Sequence, residues 1–218
     1  MPMDSRRTGQ ARRAGFVLDL ARCVGCAACV VACRLRNGWP SSSPWRRVLP
    51  LNEARRPAGP TYFLSVACHH CERPACLSAC PSGAYEQRED GVVVHREDLC
   101  LGCRYCEMAC PFGAPQYDRS RAVMTKCDFC RPTRAADSSR DEPACVAACP
   151  TEALRVATCL SGATDPDTTH RDESVVETAV VPGFTDPALC RPAVRFKLPR
   201  GLRGERLARL LKTMDRRR

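Results

Sequence analysis

The chain has 218 residues, room for one or two domains, with 18 cysteines and only 6 % aromatic residues. Its formal net charge is +10, but residues 1–13 carry +3 and residues 195–218 carry +8, which leaves the middle near neutral and without a basic face for nucleic acid. No stretch approaches the roughly 18 apolar residues of a membrane span, and no secretory signal of the kind that accompanies a disulfide scaffold is visible.

Residues 1–14 read as a disordered basic tail. Arg6-Arg7 opens like a twin-arginine signal, but polar residues 8–13 follow where an uninterrupted apolar stretch is needed. Residues 16–20 read as a strand leading into Cys23, Cys26, Cys29 and Cys33, spaced C-x2-C-x2-C-x3-C. Residues 34–60 hold five prolines, three consecutive serines, Trp39 and Trp45. That composition is a loop insertion, whose tryptophans either pack on the body or cover a partner site. Residues 62–67 read as a strand entering Cys68, Cys71, Cys76 and Cys80, spaced C-x2-C-x4-C-x3-C and followed by Pro81. Asp90-Gly91, between extended segments, predicts a hairpin turn.

Cys100, Cys103, Cys106 and Cys110 repeat the first spacing and are followed by Pro111. Cys127, Cys130, Cys145 and Cys149 read C-x2-C-x14-C-x3-C before Pro150, with a polar surface loop in the long gap. Residues 153–157 read as a strand leaving this quartet. The plan of strand, cysteine loop, short helix and strand recurs, which predicts an α+β fold with an internal repeat over residues 15–160. Residues 161–199 read as an extended linker or partner-contact segment without a core of its own. Within residues 200–218, Leu207, Leu210, Leu211 and Met214 recur at helical spacing with Arg206, Arg209 and Lys212 between them. This is a basic amphipathic helix, which either docks on a partner or anionic surface or packs on its own domain.

The cysteine spacing carries the chemistry. C-x2-C-x2-C-x3-C-P is the bacterial signature for a [4Fe–4S] cluster, whose four iron corners each take one thiolate. The fourth cysteine lies one helical turn beyond the third and is therefore set to reach a second cluster. Four quartets supply ligands for four clusters, and a protein of that kind moves electrons. Structural zinc uses two C-x2-C pairs across a longer loop, a pattern only the fourth quartet approaches. Four clusters at about −2 each also offset most of the formal positive charge.

Residues 68–84, 88–94, 100–106, 110–117 and 124–128 closely resemble the iron–sulfur subunits of dimethyl sulfoxide reductase-type molybdopterin oxidoreductases. Among them are Cys68-His69-His70-Cys71-Glu72-Arg73-Pro74-Ala75-Cys76, Cys110-Pro111-Phe112-Gly113-Ala114-Pro115-Gln116-Tyr117 and Met124-Thr125-Lys126-Cys127-Asp128. The resemblance spans roughly residues 15–160, with a looser echo at 186–197. It implies two ferredoxin-like modules in pseudo-twofold relation, pairing the first quartet with the fourth and the second with the third. The ligand sets it implies are Cys23, Cys26, Cys29 and Cys149; Cys127, Cys130, Cys145 and Cys33; Cys68, Cys71, Cys76 and Cys110; and Cys100, Cys103, Cys106 and Cys80. With Cys103 in place, all four are expected to be full [4Fe–4S] centres.

The resemblance further implies a non-catalytic electron-transfer subunit that sits between a molybdopterin-containing catalytic subunit and a multi-span, quinone-linked membrane anchor. Such a subunit is peripheral on the cytoplasmic membrane, and on the outer face when exported with a signal-bearing partner. A polyferredoxin-like subunit of a hydrogenase, formate dehydrogenase or sulfur-compound reductase is the alternative, with a zinc-binding scaffold more remote. The chain departs from the family at Cys33-Arg34, where Cys-Pro is usual, and at His69, where a small polar amide is usual; a hydrogen-bonding or surface role is expected there. Cys159 and Cys190 read as buried or spare thiols. Arg22, Arg104 and Lys126 flank ligand cysteines; they either raise the potentials of nearby clusters or are solvated.

Overall fold

The computed structural model describes residues 12–38, 44–51, 61–131, 142–160, 176–178 and 187–199. Strand β1 (Arg12–Asp19) is its central element. Phe16, Val17 and Leu18 are all buried, as a strand covered on both faces requires. β1 pairs antiparallel with β8 (Leu154–Leu160) and parallel with β10 (Val194–Leu198), and β10 pairs antiparallel with β9 (Val176–Thr178). The sheet order is therefore β8-β1-β10-β9.

Three two-stranded ribbons complete the strands. They are β2 (Arg47–Pro50) with β3 (Phe63–Val66), β4 (Tyr85–Gln87) with β5 (Val93–His95), and β6 (Gln116–Asp118) with β7 (Val123–Thr125). The β4–β5 turn passes through Gly91 at φ +78°, in keeping with the hairpin predicted at Asp90-Gly91. Between strands lie short helices: α1 (Ala28–Arg36), α2 (Ala75–Ser78), α3 (Tyr105–Ala109), α4 (Ala144–Ala147) and α5 (Pro187–Cys190). α1 packs on α4, and α2 packs on α3. Strands and helices alternate as the α+β expectation required.

Two boundaries expected from the sequence are corrected. Residues 12–14 belong to β1 rather than to a disordered tail. Arg13 is buried there, its guanidinium donating to the carbonyl of His70 at 2.6 Å, and the Ala14 N–H donates to the carbonyl of Asp90 at 2.8 Å. Residues 187–199 are not a linker. Val194, Phe196 and Leu198 are buried, and β10 fills the sheet position beside β1 because the hydrophobic face of that sheet needs it. Gly15 makes the approach possible, since any Cβ there would collide with the carbonyl of Ala193. The Trp45 indole donates to the Thr125 hydroxyl at 3.0 Å and packs on the core, the first of its two expected roles. Trp39, the side chain of Cys159 and the amphipathic segment 200–218 lie outside the described residues.

Candidate metal centres

The C-x2-C loops owe their shape to left-handed backbone. In the first quartet Gly25 (φ +73°) and Ala27 (φ +59°) bend the backbone between Cys23 and α1. In the third, Gly102 (φ +66°) and Arg104 (φ +66°) do the same between Cys100 and α3. Ala27 and Arg104 occupy the N-cap positions of α1 and α3, so each helix starts immediately after the loop and aims its next cysteine back at it. α2 and α4 instead start after Pro74 and Pro143, whose fixed φ suits a helix start.

The Cys-Pro pairs have a second consequence. After Cys80 and Pro81 the chain turns so that the Ser82 hydroxyl and the N–H groups of Ser82, Gly83 and Ala84 face the Cys80 sulfur, the last at 3.4 Å. Burial pushes the Cys80 thiol up, but these donors outweigh it and hold it below the ordinary range. Cys149 lies in the same kind of nest, with N–H groups of Thr151, Ala153 and Leu154, and its thiol is likewise lowered against burial. Donors of this kind favour a thiolate and are one of the means by which a protein sets a cluster's potential. At Cys33, where Pro is replaced by Arg34, α1 runs on to Arg36. Asn37 then reaches back, donating to the Cys33 carbonyl at 2.7 Å and to its sulfur at 3.6 Å.

The fold gathers the quartet cysteines from distant parts of the sequence. Cys23 has Cys26, Cys29 and Cys149 as electrostatic neighbours. Cys145 neighbours Cys33, Cys127 and Cys130. Cys71 neighbours Cys68, Cys76 and Cys110. Cys106 neighbours Cys100 and Cys80, with Cys103 exposed on the loop before α3. Burial raises most of the inner thiols, Cys33 to about 11 and Cys76 to about 12. Two cavities open between these sulfurs. One is lined by Cys68, Cys71, Cys76 and Cys110, and the other by Cys23, Cys26, Cys29 and Cys149.

The groups are also electrostatic neighbours in series. Cys29 neighbours Cys145, Cys127 neighbours Cys68, and Cys76 neighbours Cys106. Among the described residues no three His, Cys, Asp or Glu side chains converge on a single metal ion.

Of the three cations singled out in the sequence, only Lys126 is buried. Its ammonium donates to the carbonyls of Val93 and Cys127, the latter at 2.8 Å, and it favours the Cys76 thiolate. Arg104 and Arg22 are exposed and ion-paired, with Glu107 at 2.8 Å and Glu152 at 3.3 Å. Sequence reasoning missed Arg46. It is 2 % exposed, stacks 4.6 Å over the Phe16 ring, and forms no ion pair among the described residues. Burial works against its charge, but Cys145, Cys127, Cys29 and Cys33 surround it and outweigh that cost. Its Nε and Nη2 atoms have no hydrogen-bond partner among the described residues. A buried guanidinium facing four thiols suits a site whose bound group is anionic. His69 is buried and stacks on Phe112 at 4.1 Å, which removes the expected surface role.

Four-sulfur cavities, N–H groups aimed at sulfur and a buried guanidinium among thiols fit iron–sulfur clusters. Residues 60–159, holding the second to fourth quartets, match the 4Fe-4S dicluster domain family. A component of the anaerobic dimethyl sulfoxide reductase of Escherichia coli is 45 % identical over 148 residues, covering 64 % of this chain and 71 % of the relative. The chain belongs to that iron–sulfur subunit family. Other members diverge in their partners' chemistry while keeping the likeness. A subunit of the sulfite dehydrogenase of Allochromatium vinosum is 40 % identical over 157 residues, 63 % of this chain and 65 % of its own. The formate dehydrogenase iron–sulfur subunit of Wolinella succinogenes is 38 % identical over 161 residues, 65 % of this chain and 80 % of its own. Family membership makes this an iron–sulfur electron-transport protein. Among the described residues no helix is long and apolar enough to cross a membrane.

Proposed function

We propose that the chain relays single electrons through four [4Fe–4S] clusters between a molybdopterin-bearing catalytic subunit and a quinone-linked membrane anchor, performing no substrate chemistry itself. The ligand sets are Cys23, Cys26, Cys29 and Cys149; Cys33, Cys127, Cys130 and Cys145; Cys68, Cys71, Cys76 and Cys110; and Cys80, Cys100, Cys103 and Cys106. The observation that carries the reading is the serial order of the sulfurs: electrostatic neighbours link the first set to the second, the second to the third and the third to the fourth. The packing of α1 on α4 and α2 on α3 supports two modules that exchange their fourth cysteines.

When bound, each cluster supplies a site that takes up and releases one electron. The chain's own residues do the rest. Arg46 holds a positive charge between the first two sets, and Lys126 holds one at the third. The Tyr85 phenol, raised first by burial, keeps its proton beside Cys106. Leu18, Val48 and Leu154 wall the first set, and Phe112, Val93 and Ala114 wall the third, so the inner sulfurs of each lie against apolar side chains.

Both ends of the series reach the surface. Cys26 is exposed beside exposed Val24, with Val31 and Leu35 exposed on α1. Cys103 is exposed beside Leu101, with Tyr105 and Met108 exposed on α3. These apolar surroundings are where electron-transfer partners would seat, shortening the path to a terminal cluster. A second reading, a polyferredoxin-like subunit serving a formate dehydrogenase or sulfur-compound reductase, is favoured by the names of two relatives. The test is anaerobic isolation of the tagged chain from native membranes in mild detergent, with mass spectrometry of what accompanies it. A molybdopterin subunit with a multi-span anchor is expected; a brown chain recovered alone contradicts the complex.

A further inference from the structure

Sixteen cysteines fill the four sets, yet another described cysteine, Cys190, does not lie apart from them. Cys190 is 5 % exposed and lines the same cavity as Cys68, Cys71, Cys76 and Cys110. It is an electrostatic neighbour of both Cys71 and Cys110, and acts on Cys71 more strongly than Cys110 or Cys76 does. Five thiols therefore surround a space for which four are sufficient.

The position is built rather than incidental. Cys190 ends α5, and its carbonyl accepts from the Arg73 N–H at 3.0 Å. The Arg191 carbonyl accepts from the Glu72 N–H at 2.8 Å, and the Ala193 N–H donates to the His69 carbonyl at 2.9 Å. Arg191 adopts φ +47° and pairs with Glu72 at 3.3 Å. The segment then enters the central sheet as β10. Cys190 is thus fixed against the very loop that carries Cys68, Cys71 and Cys76.

We propose that Cys190 is a substitute ligand of the third cluster, taking the place of Cys71 or Cys110 when either bond to iron is lost. The inference rests on the ligand sets proposed above. In the exchange the iron–sulfur bond of the departing cysteine breaks and its sulfur takes up a proton. Cys190 gives up its thiol proton and forms the new bond, so no electron moves and the charge of the site is unchanged.

The experiment compares anaerobically purified holoprotein with Cys71→Ala, Cys190→Ala and the Cys71→Ala/Cys190→Ala double variant. The readouts are iron and acid-labile sulfide per chain and the EPR spectrum of the oxidised protein. Cys71→Ala is expected to keep the unmodified protein's iron content and to show no three-iron signal. The double variant is expected to lose about one iron per chain and to show that signal. A three-iron signal in Cys71→Ala alone, or a double variant that keeps its iron, overturns the inference. Should Cys71→Ala not fold, Cys110→Ala with and without Cys190→Ala is read in the same way. Fewer than four clusters in the unmodified protein would instead contradict the ligand sets themselves, which keeps the two failures apart.

Discussion

The Ser65 hydroxyl lies 3.4 Å from the Cys29 sulfur, and it accepts a hydrogen bond of 3.1 Å from Arg46. Because its oxygen is engaged by the guanidinium, the hydroxyl proton is free to point at sulfur. A buried positive charge and a hydroxyl donor thus act on the same cysteine, and both favour the more negative, reduced state of a bound cluster.

Ser65→Ala removes the donor. A loss of about 1.4 kcal/mol of differential interaction corresponds to about 60 mV for a one-electron couple. One midpoint should fall by roughly that amount in an EPR-monitored redox titration. Arg46→Gln removes the charge as well, and should lower two midpoints, because Arg46 faces Cys29 of one set and Cys33, Cys127 and Cys145 of the next. Unchanged midpoints in both variants contradict this role.

Lys126 and Arg104 form a matched contrast. Lys126→Gln should lower one midpoint by tens of millivolts, since its buried charge is unscreened. Arg104→Gln should leave all midpoints in place, because solvent and Glu107 already offset that charge. A shift from Arg104→Gln equal to that from Lys126→Gln would refute the assignment of tuning to burial.

The buried histidines make stability depend on pH. Burial, with Arg46 nearby, holds His69 to about 3, and burial, with Lys126 nearby, holds His95 to about 4. Both lie below the unfolded value of about 6.5, so the unfolded state binds more protons in the acid range. Their contribution is complete above about pH 6.5 and declines as the pH falls toward 4 and then 3. Urea denaturation of the holoprotein between about pH 7.5 and 5 should therefore show falling stability, with a shallower slope in His95→Gln. Equal slopes would remove His95 from the account.

Gly25 and Gly38 separate backbone strain from crowding. Both adopt positive φ, +73° and +62°, but a Cβ on Gly25 would sit 2.6 Å from the Phe63 ring while Gly38 faces open space. Gly38→Ala should cost about 1–2 kcal/mol from backbone alone. Gly25→Ala should cost about 1–3 kcal/mol more and reduce iron content, since the collision lies inside the first C-x2-C loop. Thermal unfolding and iron analysis of the two variants decide it.

The cysteine grammar made much of this site legible in the sequence itself. Spacing pointed to cluster loops, the Asp90-Gly91 turn marked its hairpin, and the strands before Cys23 and Cys68 were visible as apolar runs. What escaped was whatever depends on distant packing. Nothing local to Arg46 distinguishes it from Arg47, yet one is sealed among four thiols and the other half-buried. Residues 194–198 read as part of an extended linker or partner-contact segment amid scattered prolines, but the place beside β1 makes them a core strand. Arg104 stood next to a ligand cysteine in sequence, yet its side chain is exposed and paired with Glu107. The Cys-Pro pairs read as part of the cluster signature, and the N–H nests around Cys80 and Cys149 were legible only in three dimensions.

The most direct test of the central claim is a potentiometric titration of the anaerobically purified holoprotein, followed by EPR and paired with iron and sulfide analysis. Four one-electron midpoints, about sixteen irons per chain and no three-iron signal in the oxidised state are the expected result. Two clusters, a three-iron centre in the unmodified protein, or zinc in place of iron would contradict it.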